Sequence, residues 1–295
     1  MLSDDLLSAL VCPRCAGDIG QNQPDGVCCL RCNYIYALEN DIPVLLRDSQ
    51  QYAEEMKQRI TARPSWHCSD QLKSADEGPY RHHLRKRVEY IWEVINRHRF
   101  GKPRVLDIGC GDGANLRHLV RIPGSTVFGT DYNMDRLLKA RGNLKGKVLL
   151  ILSDILENNF RKDYFDIVLC NHVLEHIERD LDALSAIYTI LKPGGLLILG
   201  TPNEGAFTWQ LNYRVVQPYI MERTDHVHFY TASRLKKLVE KAGFYVEQTR
   251  FIGWGVPHTA VDMLLRQHKW IDDLFDIGRW VCKSQATSLY LICKK

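Results

Sequence analysis

Two groups of residues in this 295-residue chain have types and spacings that can do chemistry. Residues 104–113 read Arg-Val-Leu-Asp-Ile-Gly-Cys-Gly-Asp-Gly, an apolar run carrying Asp107 and then Gly109, Gly111 and Gly113. Glycine admits the dihedrals of a tight strand-to-helix turn and leaves the backbone bare enough for a ligand to touch, so this is a nucleotide-type cradle. Gly109, Gly111 and Ala114 also satisfy the dinucleotide fingerprint, so the pattern alone leaves the ligand open. The second group is Cys12-Pro-Arg-Cys15 and Cys29-Leu-Arg-Cys32, with thirteen residues between the pairs. Four soft thiolates at that spacing describe a tetrahedral structural zinc site. Cys28 competes with Cys29 for the third position, but only Cys29 leaves two residues before Cys32.

These residues need elements to hold them. Short apolar or β-branched runs bounded by turn residues predict strands at 104–108, 126–130, 148–152, 165–170, 195–200, 244–250 and 287–293. The first five alternate with helical patterns, notably Leu181–Leu191, which predicts an α/β fold with a doubly wound, mostly parallel seven-stranded sheet. The last two strands lack an obvious short crossover, so the final one is expected to run antiparallel. Ala114–Leu119 and Met134–Ala140 read as helices behind the first two strands. Tyr80–Phe100 reads as a helix with Leu84, Val88, Ile91, Trp92 and Ile95 on one face. The expected division is a zinc ribbon over 1–46, a polar linker or partly helical lid over 47–79, and one α/β domain over 80–295. A unit of roughly 45 residues has little core, so metal binding of ~10–16 kcal/mol would supply much of its folding energy.

Residues 80–295 resemble a class I S-adenosylmethionine-dependent methyltransferase of the small-molecule type 11 group. The resemblance is carried by Val105–Gly113, Gly129-Thr-Asp131, Ser153-Asp154-Ile155, Phe165–His176, Leu191–Leu199, and His226–Thr231 followed by Leu235–Phe244. It implies that Asp131 binds the ribose hydroxyls, that Asp154 lies beside the adenine amine, and that Asp107 faces the cofactor's ammonium. Gly109, Cys110, Gly111, Gly113, Tyr132, Ile155 and Asn171 complete the expected S-adenosylmethionine site, with Tyr80 and Arg85 as candidates for its carboxylate. Each acid has a plainer alternative. Asp131 and Asp154 are good helix caps, and Asp107 is expected to pin the glycine loop through backbone amides as well as to face the ammonium. For Arg81–Arg87 the plainer reading is a solvated helix face. The N-terminal segment is similar to the short zinc ribbons that accompany or activate several methyltransferases.

Alignment to the same family makes His172, His226 and His228 the candidate general bases, since imidazole titrates near neutral pH. Histidines in such turns also serve as backbone hydrogen-bonding groups, and His176 is expected to face the core or a cap. Where exocyclic-amine methyltransferases carry Asn/Asp-Pro-Pro-aromatic, this chain reads Asn171-His-Val-Leu174, which points to an oxygen acceptor on a small molecule, sugar or lipid-linked intermediate. The rival is a ribosomal RNA guanine-N1 methyltransferase, which also carries a zinc ribbon. Its usual C-x-x-x-H is replaced here by C-x-x-C, and a net charge of +4 is mild for a nucleic-acid binder. A reading from another class is a non-catalytic, partner-binding chain. Residues 203–225, with Trp209, Tyr213 and Tyr219, are expected to cover the acceptor. Residues 252–286, with Trp270, Ile271, Leu274, Phe275 and Val281, suit core packing, a homodimer contact or peripheral membrane contact. Ten cysteines without a signal peptide suggest a reducing, cytoplasmic setting, and no run is long enough to span a bilayer.

Overall fold

The computed structural model describes residues 2–23, 26–62, 70–157, 159–219 and 224–295. The chain divides into two compact units. One comprises Met1–Leu72, Gly101–Val168 and Thr189–Gly195; the other comprises Lys73–Phe100, Leu169–Tyr188 and Leu196–Lys295.

In the first unit β1 (Ile19–Gln23), β2 (Gly26–Cys29), β3 (Ile35–Glu39) and β4 (Ile42–Leu45) form an antiparallel meander. Next come β5 (Arg104–Ile108), β6 (Thr126–Asp131) and β7 (Leu149–Ser153), with β5 parallel to β6 and β6 parallel to β7. Val105, Leu106, Val127, Phe128, Leu150 and Ile151 are all buried, because parallel strands are covered on both faces and are therefore apolar throughout rather than alternating. Gly129 is required by packing: a Cβ there would stand 2.8 Å from the Leu116 side chain and 3.0 Å from Cys110 Sγ. Strand β4 joins the same sheet parallel to β7, pairing Val44 with Leu152 and Leu45 with Ser153.

Further backbone bonds sew the cysteine-bearing segment into this unit. Val11 N–H donates to the Asn159 carbonyl (3.0 Å), Arg161 N–H to Ala9 (2.8 Å), and the Asn159 amide to Leu45 (2.7 Å). The polar segment after it contains helices Ser49–Ala62 and Gln71–Glu77. The helix expected at Ala114–Leu119 shortens to one turn, Leu116–Leu119, whereas Met134 opens a longer helix that ends at Leu144.

Strands β8 (Phe165–Asn171) and β9 (Leu191–Pro202) begin in the first unit and end in the second. In the second unit β10 (Tyr245–Ile252) pairs antiparallel with β11 (Ser288–Lys294), and β11 also pairs antiparallel with β9, as the missing crossover implied. All seven expected strands form. The fold is α/β with a mostly parallel central sheet.

Helix Arg81–His98 buries His83, Tyr90, Ile91, Val94 and Ile95. Leu84, Val88 and Trp92 are only half-buried, so the buried stripe is rotated from the expected one. Its basic run is largely engaged rather than solvated. Lys86 meets Asp272 at 2.6 Å and Asp276 at 2.8 Å, and Arg81 donates to the Gln267 carbonyl at 2.9 Å. Arg85 is exposed. Residues 252–286 fold around Arg266, which is 1% exposed and reaches Asp262 and Asp272 at 2.7 Å each. Of the residues expected on one apolar face there, Ile271 is buried while Trp270, Leu274 and Val281 are exposed. Among the described residues no helix is long and apolar enough to cross a membrane.

Removing one partner of a buried ion pair strands the others, at a cost of about 3–5 kcal/mol. Arg266→Ala should lower stability by that amount in urea unfolding. A change of under about 1 kcal/mol, the size of an exposed pair, would contradict this account of the network.

Candidate cofactor cradle and histidine cluster

In the first unit the glycine loop follows β5 directly. Asp131, at the end of β6, accepts the Gly111 N–H and the Asn133 N–H, each at 2.8 Å. It is therefore not the cap of the next helix. Asn133 holds that role, its side chain accepting the Arg136 N–H at 3.2 Å. Burial raises the Asp131 carboxyl above its ordinary range, opposed by the Gly111 amide and by Arg136. A carboxylate offers about four lone-pair positions, so two amides leave capacity for a diol.

Asp107 behaves differently from the expectation that it ties the loop. It is wholly buried, and among the described residues neither of its oxygens has a hydrogen-bond partner. Burial, with Asp131 as a secondary cause, pushes its carboxyl well up. Buried carboxylates are ordinarily paired, so an orphaned one beside a glycine loop fits a ligand that brings its own cation.

The loop is also covered. Gly111 has φ +56°, and a Cβ there would lie 2.2 Å from Gln71 Oε1. Leu72 N–H donates to Asp112 at 2.8 Å. Tyr132 donates to Glu55 at 3.1 Å, and its ring stands edge-on to Tyr52 at 4.8 Å. Asp154 accepts the Leu156 N–H at 2.8 Å, a local turn bond, and Ile155 is half-buried in the same turn. Gly109, Cys110 and Gly113 lie in the loop itself, with Cys110 N–H on Thr130 and Gly113 N–H on Cys110. Gln71, Glu55 and Tyr52 were not singled out from sequence, because nothing local marks a polar helix residue as covering a distant loop.

Also in the first unit, the thiols of Cys12, Cys15, Cys29 and Cys32 converge, all four sulfurs lying within 4.8 Å of one another. Cys28 is not in the cluster, because alternation along β2 sends neighbouring side chains to opposite faces. Backbone amides of Arg31 and Cys32 point at Cys29 Sγ, each at 3.4 Å. Four converging sulfurs with amide donors fit a closed tetrahedral zinc site.

In the second unit Asn171 ends β8, and its Oδ1 accepts from Tyr290 at 2.9 Å and lies 3.4 Å from Arg87. A Cβ at Gly200 would fall 2.4 Å from that oxygen. His172 follows with φ +58°, unusual for a residue with a side chain, and its N–H donates to Gly200 at 2.8 Å. Its Nδ1 stands 3.2 Å from Glu175 Oε1. Burial, with Arg87, lowers the imidazole to about 4 although Glu175 opposes this, so the ring is neutral at physiological pH.

Directly after β8 the chain forms a 3-10 turn, Leu174–His176. That turn places His176 beside Asp225, at 3.1 Å, and its ring centroid 4.8 Å from that of His226, rather than in the core. His228 Nε2 bonds the Glu178 carbonyl at 3.0 Å. Tyr80 is half-buried next to Arg266, whose guanidinium lies 5.9 Å from the ring centroid; burial and Asp262 push its phenol up. Of the 203–225 segment, Tyr213 is buried and Tyr219 exposed, while residues 220–223 lie outside the described residues. Glu175, Arg87 and Tyr290 were missed from sequence. The available signal for the first was a pair of acid–histidine dipeptides, Glu175-His176 and Asp225-His226.

Comparison with known proteins agrees with this geometry. Residues 80–249 match the family described as Methyltransferase domain, and the chain belongs to that family. It is 32% identical over 156 residues to a ubiquinone biosynthesis O-methyltransferase of Aeromonas salmonicida, covering 50% of this chain and 64% of that protein. It is 31% identical over 170 residues to the protein of that name from Dinoroseobacter shibae, covering 53% and 65%. In both cases the matched part is under two thirds of the relative's length. Among solved structures, an S-adenosylmethionine-dependent methyltransferase from Mesorhizobium loti superposes with TM-score 0.52 at 17% identity, covering 69% of this chain and 97% of that one. A chain of the complex containing the Haloferax volcanii Trm112 methyltransferase activator superposes with TM-score 0.56 at 17% identity, covering 80% and 96%.

The orphaned carboxyl makes a prediction about the ligand-free chain. Unfolded, Asp107 ionises in the ordinary carboxylate range; folded, it keeps its proton to higher pH. Stability conferred by the ligand-free fold therefore falls as pH rises through that interval. Asp107→Asn should flatten this part of the stability–pH profile and leave the ligand-free protein at neutral pH at least as stable as the parent. A loss of more than about 2 kcal/mol in urea unfolding would mean that Asp107 holds the loop after all.

Proposed function

We propose that the chain transfers a methyl group from S-adenosylmethionine to a hydroxyl oxygen of a small molecule, sugar or lipid-linked biosynthetic intermediate. The observation that carries this reading is the cradle: a glycine loop tied by Asp131, beside a buried Asp107 that has no hydrogen-bond partner among the described residues. In it Asp131 accepts the ribose hydroxyls in charge-assisted hydrogen bonds, Asp107 balances the ammonium, and Asp154 with Ile155 lies against the adenine. Bound S-adenosylmethionine supplies a methyl group on a sulfonium, and the protein's task is chiefly to position the acceptor and exclude water. His172 receives the hydrogen bond of the acceptor hydroxyl, while Arg87 and Tyr290 hold Asn171 in place. The relatives named as O-methyltransferases support an oxygen acceptor, as does the absence of an Asn/Asp-Pro-Pro-aromatic run at Asn171.

We further propose that Cys12, Cys15, Cys29 and Cys32 hold a structural zinc ion, in a ribbon spanning residues 1–46 that stiffens the first unit. Residues 47–79, of which 63–69 lie outside the described residues, act as a linker or lid, and residues 80–295 as the methyltransferase domain.

Three outcomes are expected. In calorimetric titration Asp131→Ala should weaken S-adenosylmethionine binding at least tenfold, about 1.4 kcal/mol; unchanged affinity would remove the acid from the pocket. Metal analysis of freshly purified protein should find close to one zinc per chain, and a content far below that would end the zinc assignment. With S-adenosylmethionine carrying a labelled methyl group, a cell extract should acquire label in its small-molecule or lipid fraction. Label confined to RNA would favour a ribosomal RNA methyltransferase, and no transfer beside intact cofactor binding would favour a non-catalytic, partner-binding chain.

A further inference from the structure

The cluster after β8 contains more than a base requires. Glu175 is 1% exposed, and among the described residues its carboxylate has no well-formed hydrogen bond, only the approach of His172 Nδ1 at 3.2 Å. Its own carbonyl is fully used, accepting Val227 N–H at 2.8 Å and His228 N–H at 3.1 Å. Those two bonds stitch the 3-10 turn to the segment carrying Asp225 and His226. One ligand atom each from Glu175, His176 and His226 then lies within 4.8 Å of the others, and Asp225 Oδ1 is 3.1 Å from His176 Nδ1.

From this we infer that Glu175, His176 and His226, with Asp225 as a fourth donor, form a second metal site that takes a divalent cation. The donor set decides the class of ion. Imidazole and carboxylate without thiolate suit Mn²⁺, Fe²⁺ or Zn²⁺, and two histidines with one carboxylate leave coordination positions open to oxygen ligands. An ion about 2.1 Å from each donor holds neighbouring donors roughly 3–4 Å apart, a contraction that side-chain rotation can supply. A buried carboxylate held by one imidazole contact is only partly compensated, and metal coordination is one of the few arrangements that completes it. The two acid–histidine dipeptides come from segments about fifty residues apart in sequence, joined by the Glu175 carbonyl. The site is separate from the four-cysteine cluster and assigns His226 to coordination rather than to proton transfer.

Mn²⁺ is the probe of choice, because hard oxygen and nitrogen donors hold it while a thiolate site favours softer ions. Full-length protein, dialysed against metal-free buffer without chelator, would be titrated with Mn²⁺ while the electron paramagnetic resonance signal of the free ion is recorded. The expected result is one Mn²⁺ bound per chain with Kd below about 100 μM. His226→Gln, on a half-buried ring, should weaken binding at least tenfold with an unchanged circular dichroism spectrum. Glu175→Gln should do the same where it folds. No binding at about 1 mM Mn²⁺, or binding that His226→Gln leaves unchanged, would overturn the inference. Because the readout is metal binding alone, it stands or falls independently of methyl transfer.

Discussion

The interaction on which the cradle depends is the pair of backbone hydrogen bonds accepted by Asp131, from Gly111 and from Asn133. One fixes the glycine loop after β5 and the other fixes the start of the helix after β6. With both jobs done at Asp131, the neighbouring Asp107 is left buried with no hydrogen-bond partner among the described residues, and its carboxyl is pushed well up. A fold bears that cost where a ligand repays it. The loop is held by one acid so that the other stays available, and Gln71 and Leu72 close over it. The division of labour between the two carboxylates is the physical content of the cofactor assignment.

Much of the scaffold was legible because buried parallel strands leave a plain signature. Arg104–Ile108 and Phe165–Asn171 are rich in apolar and β-branched residues, interrupted by Asp107 and Asp166, and their ends fall within a residue of the expected ones. The antiparallel last strand was legible from a missing crossover. The choice of Cys29 over Cys28 was legible from spacing, and β2 alternation gives the same answer by a different route. What escaped was non-local. Helix Ser49–Ala62 lies in the stretch expected as a polar linker or partly helical lid, but nothing local says that Glu55 and Tyr52 meet Tyr132. Nothing in the local sequence sets Arg266 apart, yet it is buried between two aspartates. Local pattern cannot separate a solvated ion from a buried pair, since both require the same residue types.

The histidines show the same limit in the site itself. Chain order and family alignment bring His172, His226 and His228 forward as equals, but the fold distinguishes them. His172 is half-buried beside Glu175 with its imidazole pushed down, His228 is spent on the Glu178 carbonyl, and His226 packs against His176. The turn that follows β8 makes the difference, because a 3-10 turn rather than an α-helix carries His176 out of the core. At the other end of the chain, strand β4 makes the cysteine segment part of the sheet, so a metal bound there would act on the rigidity of the unit that contains the cradle.

The most direct test of the account is calorimetric titration of the wild-type chain with S-adenosylmethionine. The account requires a single saturable site per chain with affinity in the micromolar range; no heat of binding at about 1 mM cofactor would contradict it.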